Sequence, residues 1–113
     1  MKAMFVLTPA ESRRLIAKAV ARMPEVQIAL EKAYVCVVGG TTNAFVAQEL
    51  TGLDIEPQRY TAGTSANRVL CVTPAEGRDT RIPLILYKGE VVDKTIKDAF
   101  DDFHIETVLI KGA

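Results

Sequence analysis

The chain has 113 residues, of which 49% are hydrophobic and 25% are charged. This length predicts a single domain, and the composition is typical of a globular protein rather than a disordered one. Lysine and arginine number 14, as do aspartate and glutamate, so no excess positive charge favours nucleic acid or an anionic membrane as a partner. The apolar runs are too short for a transmembrane helix or a signal peptide, and we expect a soluble, cytoplasmic protein.

The first part of the chain predicts an edge strand followed by two helices. Residues 3–7 are a short apolar run. Thr8 and Glu11 have the spacing of a capping box, with a proline at the first helical position, and apolar residues then recur at helical spacing. Pro24 breaks or restarts this helix, and a second amphipathic piece continues through Lys32.

A buried strand, a Gly-Gly turn and a third helix come next. Residues 34–38 are continuously apolar and β-branched, which is typical of a central strand covered on both faces, as in parallel sheets. After the glycines, Thr41 or Thr42 is expected to cap a helix, and Gly52 is expected to end it.

The second half predicts shorter elements. In chain order these are a loop over residues 53–67, strands over 68–73 and 81–87, a tight turn at 88–89, a helix over 94–103 and a strand over 105–110. The first two strands are expected to pair as a hairpin. Pro83 cannot donate to a ladder and belongs at a strand start or an edge, and Asp93 is expected to cap the last helix.

The Gly-Gly turn is the strongest candidate site. A strand that runs into a glycine turn and a helix commonly forms a pocket for an anion or small ligand, because glycines allow close approach and the free N–H groups attract negative charge. Lys111 follows the last strand, and parallel strands would bring it to the same edge. The alternatives are a simple tight turn with a threonine cap, and a solvated lysine. The predicted ligand-binding residues are Gly39, Gly40, Thr41, Thr42, Asn43 and Lys111.

A second polar stretch is a weaker candidate. Residues 63–67 are small and polar, and Arg59 and Arg68 flank them. Two guanidinium groups there would suit a phosphate, and a surface loop is the alternative. The chain contains neither GxxxxGK[ST] nor GxGxxG, so no nucleotide cofactor, and no other cofactor, is predicted.

The remaining chemically active residues do not form a recognisable site. His104 is the single histidine, and no serine or cysteine can be matched to it as a triad. The carboxylate pair Asp101 and Asp102 lacks accompanying ligands, so no metal site is predicted. Cys36 and Cys71 lie in predicted strands and are expected to be buried, reduced thiols.

Two segments carry a family resemblance. VVGGTTNAFVAQEL, after its opening helix, and the closing IETVLIKGA resemble the superfamily of ribose-5-phosphate isomerases, glucosamine-6-phosphate deaminases and CoA transferases. The resemblance covers roughly residues 8–50 and 105–113. It implies an α/β fold of that type (NagB/RpiA/CoA-transferase-like), with a three-layer, mostly parallel sheet flanked by helices, here with a β-hairpin. It also implies that Thr41, Thr42 and Asn43 contact phosphate or an equivalent anion.

The chain departs from these isomerases in two respects. Lys111 stands where they carry an acidic residue, and they continue into a second half that holds the catalytic carboxylate and lysine. We therefore expect residues 1–113 to form one α/β domain, either by itself or as a fragment of a larger domain, and no catalytic residue is assigned. Two functions follow: binding of a small anionic ligand such as a sugar phosphate, or a non-catalytic interaction or oligomerisation module whose open sheet edge is covered by a partner chain or a second copy.

Overall fold

A computed structural model describes residues 1–112, without the side chains of residues 64 and 66. The α-helices of this part are α1 (Pro9–Ala21), α2 (Pro24–Lys32), α3 (Thr41–Thr51) and α4 (Ile96–Phe100). Its strands are β1 (Tyr34–Val37), β2 (Gly63–Ala66), β3 (Val69–Val72), β4 (Leu84–Tyr87), β5 (Glu90–Val91) and β6 (Val108–Ile110). A turn of 3-10 helix covers Ala75–Gly77.

The main sheet is mixed and has the order β5-β4-β1-β6. β1 lies inside the sheet and all four of its residues are buried, which confirms the predicted central strand. It pairs parallel with β6 and antiparallel with β4, and β4 pairs antiparallel with β5. The expectation of a mostly parallel sheet is therefore wrong for these strands. A continuous apolar run indicates burial on both faces, but it does not specify the direction of the neighbouring strands.

Alternate residues of the central strands enter two hydrophobic clusters on opposite faces of the sheet. On one face Val35 and Val37 pack with Leu84 and Leu86 against alanines of α2 and α3. On the other face lie Tyr34, Cys36 and Ile85, packed against Ala99 of α4. The protein is thus a small mixed α/β domain with helices on both faces of its sheet.

The N-terminal helices follow their predicted signals, whereas the segment before them does not. Thr8 Oγ1 accepts from Glu11 N (3.2 Å) and Glu11 Oε2 accepts from Thr8 N (2.7 Å), so the capping box is confirmed. α2 begins at Pro24 as predicted. The edge strand predicted over residues 3–7 is wrong: Met4 is 92% exposed and the segment pairs with no described strand. A strand needs a partner, which an apolar run does not guarantee.

The middle of the chain pairs differently from the prediction. β3 forms a hairpin with β2, in the region expected to be loop, and β4 pairs with β1 and β5. The predicted hairpin between residues 68–73 and 81–87 is therefore wrong. Asn67 and Arg68, with φ of 50° and 66°, form the tight turn of the observed hairpin, as two-residue hairpin turns require. Gly63 and Ala66, at the two ends of β2, are residue types depleted in strands, which hid β2 from the sequence.

Two predictions near the end of the chain need correction. α4 begins after Thr95, whose Oγ1 accepts from Asp98 N (3.1 Å), and not after Asp93. The last strand covers only Val108–Ile110. The tight turn after β4 is confirmed, since Gly89 has φ of 82° and joins β4 to β5.

The two cysteines have different environments. Cys36 is fully buried in β1, and burial raises the pKa of its thiol. Cys71 is exposed in β3, contrary to the expectation that both thiols are buried. The reason is that β3 belongs to the hairpin and not to the main sheet.

Tyr60 joins the connection after α3 to the sheet. Its side chain is fully buried, and its hydroxyl donates to Val37 O (2.7 Å) and accepts from Leu84 N (3.0 Å). Burial raises the pKa of this phenol to about 12. The hydroxyl therefore bridges the end of β1 and the start of β4.

Replacing Tyr60 by phenylalanine tests this bridge. Tyr60→Phe keeps the ring but leaves the Leu84 N–H and the Val37 carbonyl without this partner, so we expect the free energy of unfolding to fall by about 1–3 kcal/mol. Urea denaturation measures the change. Tyr87→Phe, at a tyrosine that is 38% exposed, is the matched control and should change stability by less than about 0.5 kcal/mol. Equal effects of the two variants would contradict the assignment.

Candidate functional site

The Gly-Gly turn lies at one edge of the main sheet, between the ends of two neighbouring strands. Val37, the last residue of β1, is opposite Leu84 of β4 on one side and Ile110 of β6 on the other. Because β1 and β6 are parallel, their carboxyl ends meet at this edge. The structure therefore brings the turn and the residue after β6, Lys111, to the same edge of the sheet.

Both glycines have a role in the turn itself. A Cβ at Gly39 would lie 3.2 Å from Ile82 Cγ2 and 3.5 Å from the Tyr60 carbonyl oxygen, so the position has no room for a side chain. Gly40 has φ of 152°, which side chains rarely permit, and its N–H donates to Tyr60 O (2.7 Å). The glycines are thus explained by the packing of the turn, with or without a ligand.

The first turn of α3 is not capped by a side chain. Gly40 occupies the N-cap position and the predicted threonine cap is absent. The first N–H groups of a helix have no intrahelical acceptor, and here they belong to Thr41, Thr42 and Asn43. Both threonines are half-buried. This end of the helix therefore presents the N–H donors and positive dipole end that favour an anion.

Asn43 connects the two parallel strands. Its side chain is 5% exposed, and Nδ2 donates to Val38 O (2.9 Å) and, at 3.4 Å, to Ile110 O. The Val38 N–H also donates to Ile110 O (3.0 Å). The side-chain amide nitrogen, predicted to contact a ligand, is therefore used to hold the carboxyl ends of β1 and β6 together.

Lys111 is exposed, and its Nζ donates to the carbonyl of Gly112 (3.0 Å). The ammonium group makes no hydrogen bond to the turn in residues 1–112. The structure thus brings the backbone at Lys111 to the turn, while its side chain lies in solvent.

A cleft of about 560 Å³ borders the turn on the side of β4. Its lining residues are Val38, Gly39, Thr61, Ala62, Gly63, Arg78, Asp79 and Ile82. Arg78, which sequence reasoning missed, is half-buried there, and its Nε donates to Thr73 O (3.0 Å). An arginine in the polar stretch PAEGRDT was the available signal, but nothing local indicated that the stretch folds back on the turn.

Asp79 is paired within the chain. Its carboxylate accepts from Arg81 N (2.9 Å), Nε (2.8 Å) and Nη2 (2.6 Å). These hydrogen bonds from Arg81 hold the pKa of Asp79 below its usual value. The negative charge in the cleft wall is therefore balanced locally, and Arg78 is left as the unbalanced charge of the lining.

The second polar stretch does not form a phosphate pocket. Arg68 lies in the turn at the far end of the β2–β3 hairpin, whereas Arg59 Nε donates to Gly77 O (2.9 Å). The two guanidinium groups are thus held at different places.

His104 makes a local contact with the backbone that follows it. The Nδ1 atom of His104 accepts from Glu106 N (3.3 Å). No group of three or more histidine, cysteine, aspartate or glutamate side chains suited to a metal ion occurs in the described part of the chain.

A second cleft, of about 420 Å³, lies at the opposite edge of the sheet, where β1 begins. Lys94 Nζ donates to the hydroxyl of Tyr34 (3.1 Å) and lies 3.9 Å from Asp102. The hydrogen bond to Tyr34 raises the pKa of Lys94, so the amine stays charged at neutral pH. Tyr87 and His104 complete the polar lining of this cleft.

No protein-family profile matches the chain, and searches of curated proteins and of solved structures gave no significant match. Over residues 1–112, no helix has both the length and the apolar character needed to cross a bilayer.

Substitution of Asn43 separates a structural role from a ligand-binding role. We expect Asn43→Ala to lower the free energy of unfolding by about 1–3 kcal/mol, because two strand-end carbonyls lose a donor. Asn43→Asp should lower the free energy of unfolding further than Asn43→Ala does, because a carboxylate would face those carbonyl oxygens. Urea denaturation provides the measurement, with Thr42→Val as the control that leaves the strand ends paired. Unchanged stability in both Asn43 variants would show that the amide does not hold the strands.

The Asp79–Arg81 pair predicts a pH dependence. Because the native pKa of Asp79 is lowered, its carboxylate stabilises the fold above the unfolded pKa, near 3.8, and this stabilisation is lost as the pH falls through the native value. Asp79→Asn should lower stability by about 1 kcal/mol near pH 7, and the difference should vanish toward about pH 2. Urea denaturation across this range measures it, with exposed Glu31→Gln as control. A difference that does not depend on pH would exclude the ion pair as its source.

Proposed function

We propose that the chain is a cytoplasmic α/β domain that binds a small anionic ligand, through a phosphate or carboxylate group, at the turn of residues 39–43. The proposal follows the resemblance to sugar-phosphate isomerases and CoA transferases. The observation that carries it is that α3 begins without a capping side chain directly at the carboxyl end of β1.

The first turn of α3 supplies the donors. The N–H groups of Thr41, Thr42 and Asn43 lie in the first turn of this helix, and the two threonines add hydroxyl donors to the same turn. The helix is 11 residues long, so its dipole is developed, and an anion at such an end typically gains about 0.3–1 kcal/mol from it. Partial burial of both threonines strengthens these hydrogen bonds relative to those at a fully exposed end.

A cationic residue stands on either side of β1, and the Lys111 ammonium group would have to turn from solvent to reach a ligand. Lys111 follows β6, and Arg78 lines the cleft next to β4. The guanidinium of Arg78 uses Nε for Thr73, which leaves its terminal nitrogens for a ligand oxygen. Asp79 is already paired with Arg81, so it does not oppose an anion with a free charge.

The cleft determines the size of the ligand. Its volume of about 560 Å³ falls within the range of roughly 300–1,000 Å³ that is usual for small-molecule pockets. Such a cleft holds a phosphorylated sugar or a similar small molecule, with the anionic group at the turn and the remainder between Gly39 and Arg78. No acid or base of the cleft is assigned to a reaction. If a reaction occurs, the turn would stabilise developing negative charge.

Calorimetric titration tests the proposal with inorganic phosphate, ribose 5-phosphate and a CoA ester. We expect ribose 5-phosphate to bind more tightly than phosphate alone, because the sugar occupies the cleft. Thr42→Val and Arg78→Gln should each weaken this binding by about tenfold, the value of one charge-assisted hydrogen bond. Lys97→Gln, on exposed α4, is the matched control and should leave it unchanged.

The proposal is wrong if none of the three compounds binds. It is also wrong if one binds with an affinity that Thr42→Val and Arg78→Gln leave unchanged, since the ligand would then lie elsewhere. The unfolding curve of each variant accompanies its titration, so that loss of the fold is not mistaken for loss of the site.

A further inference from the structure

The β2–β3 hairpin exposes apolar side chains that neither hydrophobic cluster covers. Val69, Leu70 and Val72 are 61%, 73% and 68% exposed. Successive side chains of a strand point to opposite faces, so β3 is apolar and uncovered on both faces. Exposed apolar patches of a few hundred square ångströms usually mark an interaction surface.

The hairpin also projects from the rest of the domain. β2 and β3 contact each other far more than they contact any other helix or strand. The radius of gyration is 15.0 Å, larger than the roughly 13 Å expected for a compact domain of this length, and the exposed segment 1–7 contributes to this value together with the hairpin. Because an isolated two-stranded hairpin is marginally stable in water, this one requires a cover on at least one side.

The outer edge of β3 is open. β2 occupies one edge of β3, and no described strand occupies the other. The strand VLCV has neither charge nor proline, which are the usual devices that keep an edge strand from pairing with another chain. In an antiparallel pair, alternate residues direct their backbone N–H and C=O groups away from the partner strand. The outward-facing groups of alternate residues of Val69–Val72 are therefore available to a second strand.

We propose that a second copy of this chain covers the hairpin, with β3 of each copy paired antiparallel across a two-fold axis. The result is a four-stranded intermolecular sheet of the order β2-β3-β3-β2. A two-fold axis perpendicular to the sheet makes a strand pair antiparallel with itself, and an uncharged strand does not repel its copy. The pairing extends each hairpin into a sheet that is long enough to be stable.

Charges at the ends of β3 support a second copy as the occupant. Arg68 precedes β3 and Glu76 follows it, and both are exposed. Neither forms a salt bridge within residues 1–112. Antiparallel pairing brings Arg68 to the end of the interface at which the 3-10 turn of the partner subunit carries its Glu76, so each end holds charges of opposite sign.

The area of the interface predicts its strength. The apolar side chains of β3 supply a few hundred square ångströms per copy, less than the roughly 800 Å² per partner of a standard stable interface. Backbone hydrogen bonds between the two strands add to this interface, and we expect a dissociation constant of about 1–100 μM for the dimer. Self-association should therefore depend on concentration under ordinary laboratory conditions.

Sedimentation of the full chain over this concentration range, with thiol cross-linking, tests the dimer. Cys71 is exposed at the middle of β3 while Cys36 is buried, so a short bis-maleimide should link two copies through Cys71, and Cys71→Ser should abolish the link. Leu70→Glu should weaken association at least tenfold by placing like charges opposite each other. Leu109→Glu, at a 52% exposed residue of the β6 edge, is the matched control and should leave the dimer intact.

Three outcomes would overturn the proposal: a monomer at every concentration, association that Leu109→Glu abolishes and Leu70→Glu does not, or open-ended aggregation without a dimer. The second would identify β6 as the interface. Because the Leu70 side chain lies in solvent, its replacement should not unfold the monomer, and circular dichroism of each variant checks this.

Discussion

The buried hydroxyl of Tyr60 is the interaction on which the arrangement of the sheet edge depends. It donates to the end of β1 and accepts from the start of β4, while the Tyr60 carbonyl accepts from Gly40 N. One residue thus places the Gly-Gly turn, the two central strands and the connection after α3 relative to each other. Since the groups involved lie out of water, each unmade bond would cost free energy, so the arrangement is specific.

The residues of the turn serve the fold and leave a defined set of atoms for a ligand. Gly39 and Gly40 permit the close approach of Ile82 and Tyr60, and the Asn43 amide nitrogen holds the ends of β1 and β6. What remains is the backbone N–H groups at the start of α3 and the hydroxyls of Thr41 and Thr42. Structural and binding roles are therefore compatible, because they use different atoms of the same segment.

The hairpin and the candidate site share one structural element. Gly63, the first residue of β2, lines the cleft beside the turn, while β3 exposes its apolar residues on the other strand of the hairpin. The charges in the cleft are arranged asymmetrically, since Asp79 is paired with Arg81, whereas Arg78 has no carboxylate partner within residues 1–112. In the proposed dimer, the second copy would hold the hairpin in place and would thereby also fix the position of Gly63 in the cleft.

Features whose causes are local could be predicted from the amino-acid sequence. The capping box at Thr8, the break at Pro24 and the left-handed end of α3 at Gly52 depend on neighbouring residues, and so does burial of β1 in a continuous apolar run. Other features became visible only in the tertiary structure. They are the strand directions, the pairing of β2 with β3, the exposure of Cys71, the hydrogen bonds of Asn43 to the strand ends, and the position of Arg78 in the cleft. These depend on contacts between segments far apart in the chain, where hydrogen bonds and packing override local propensity.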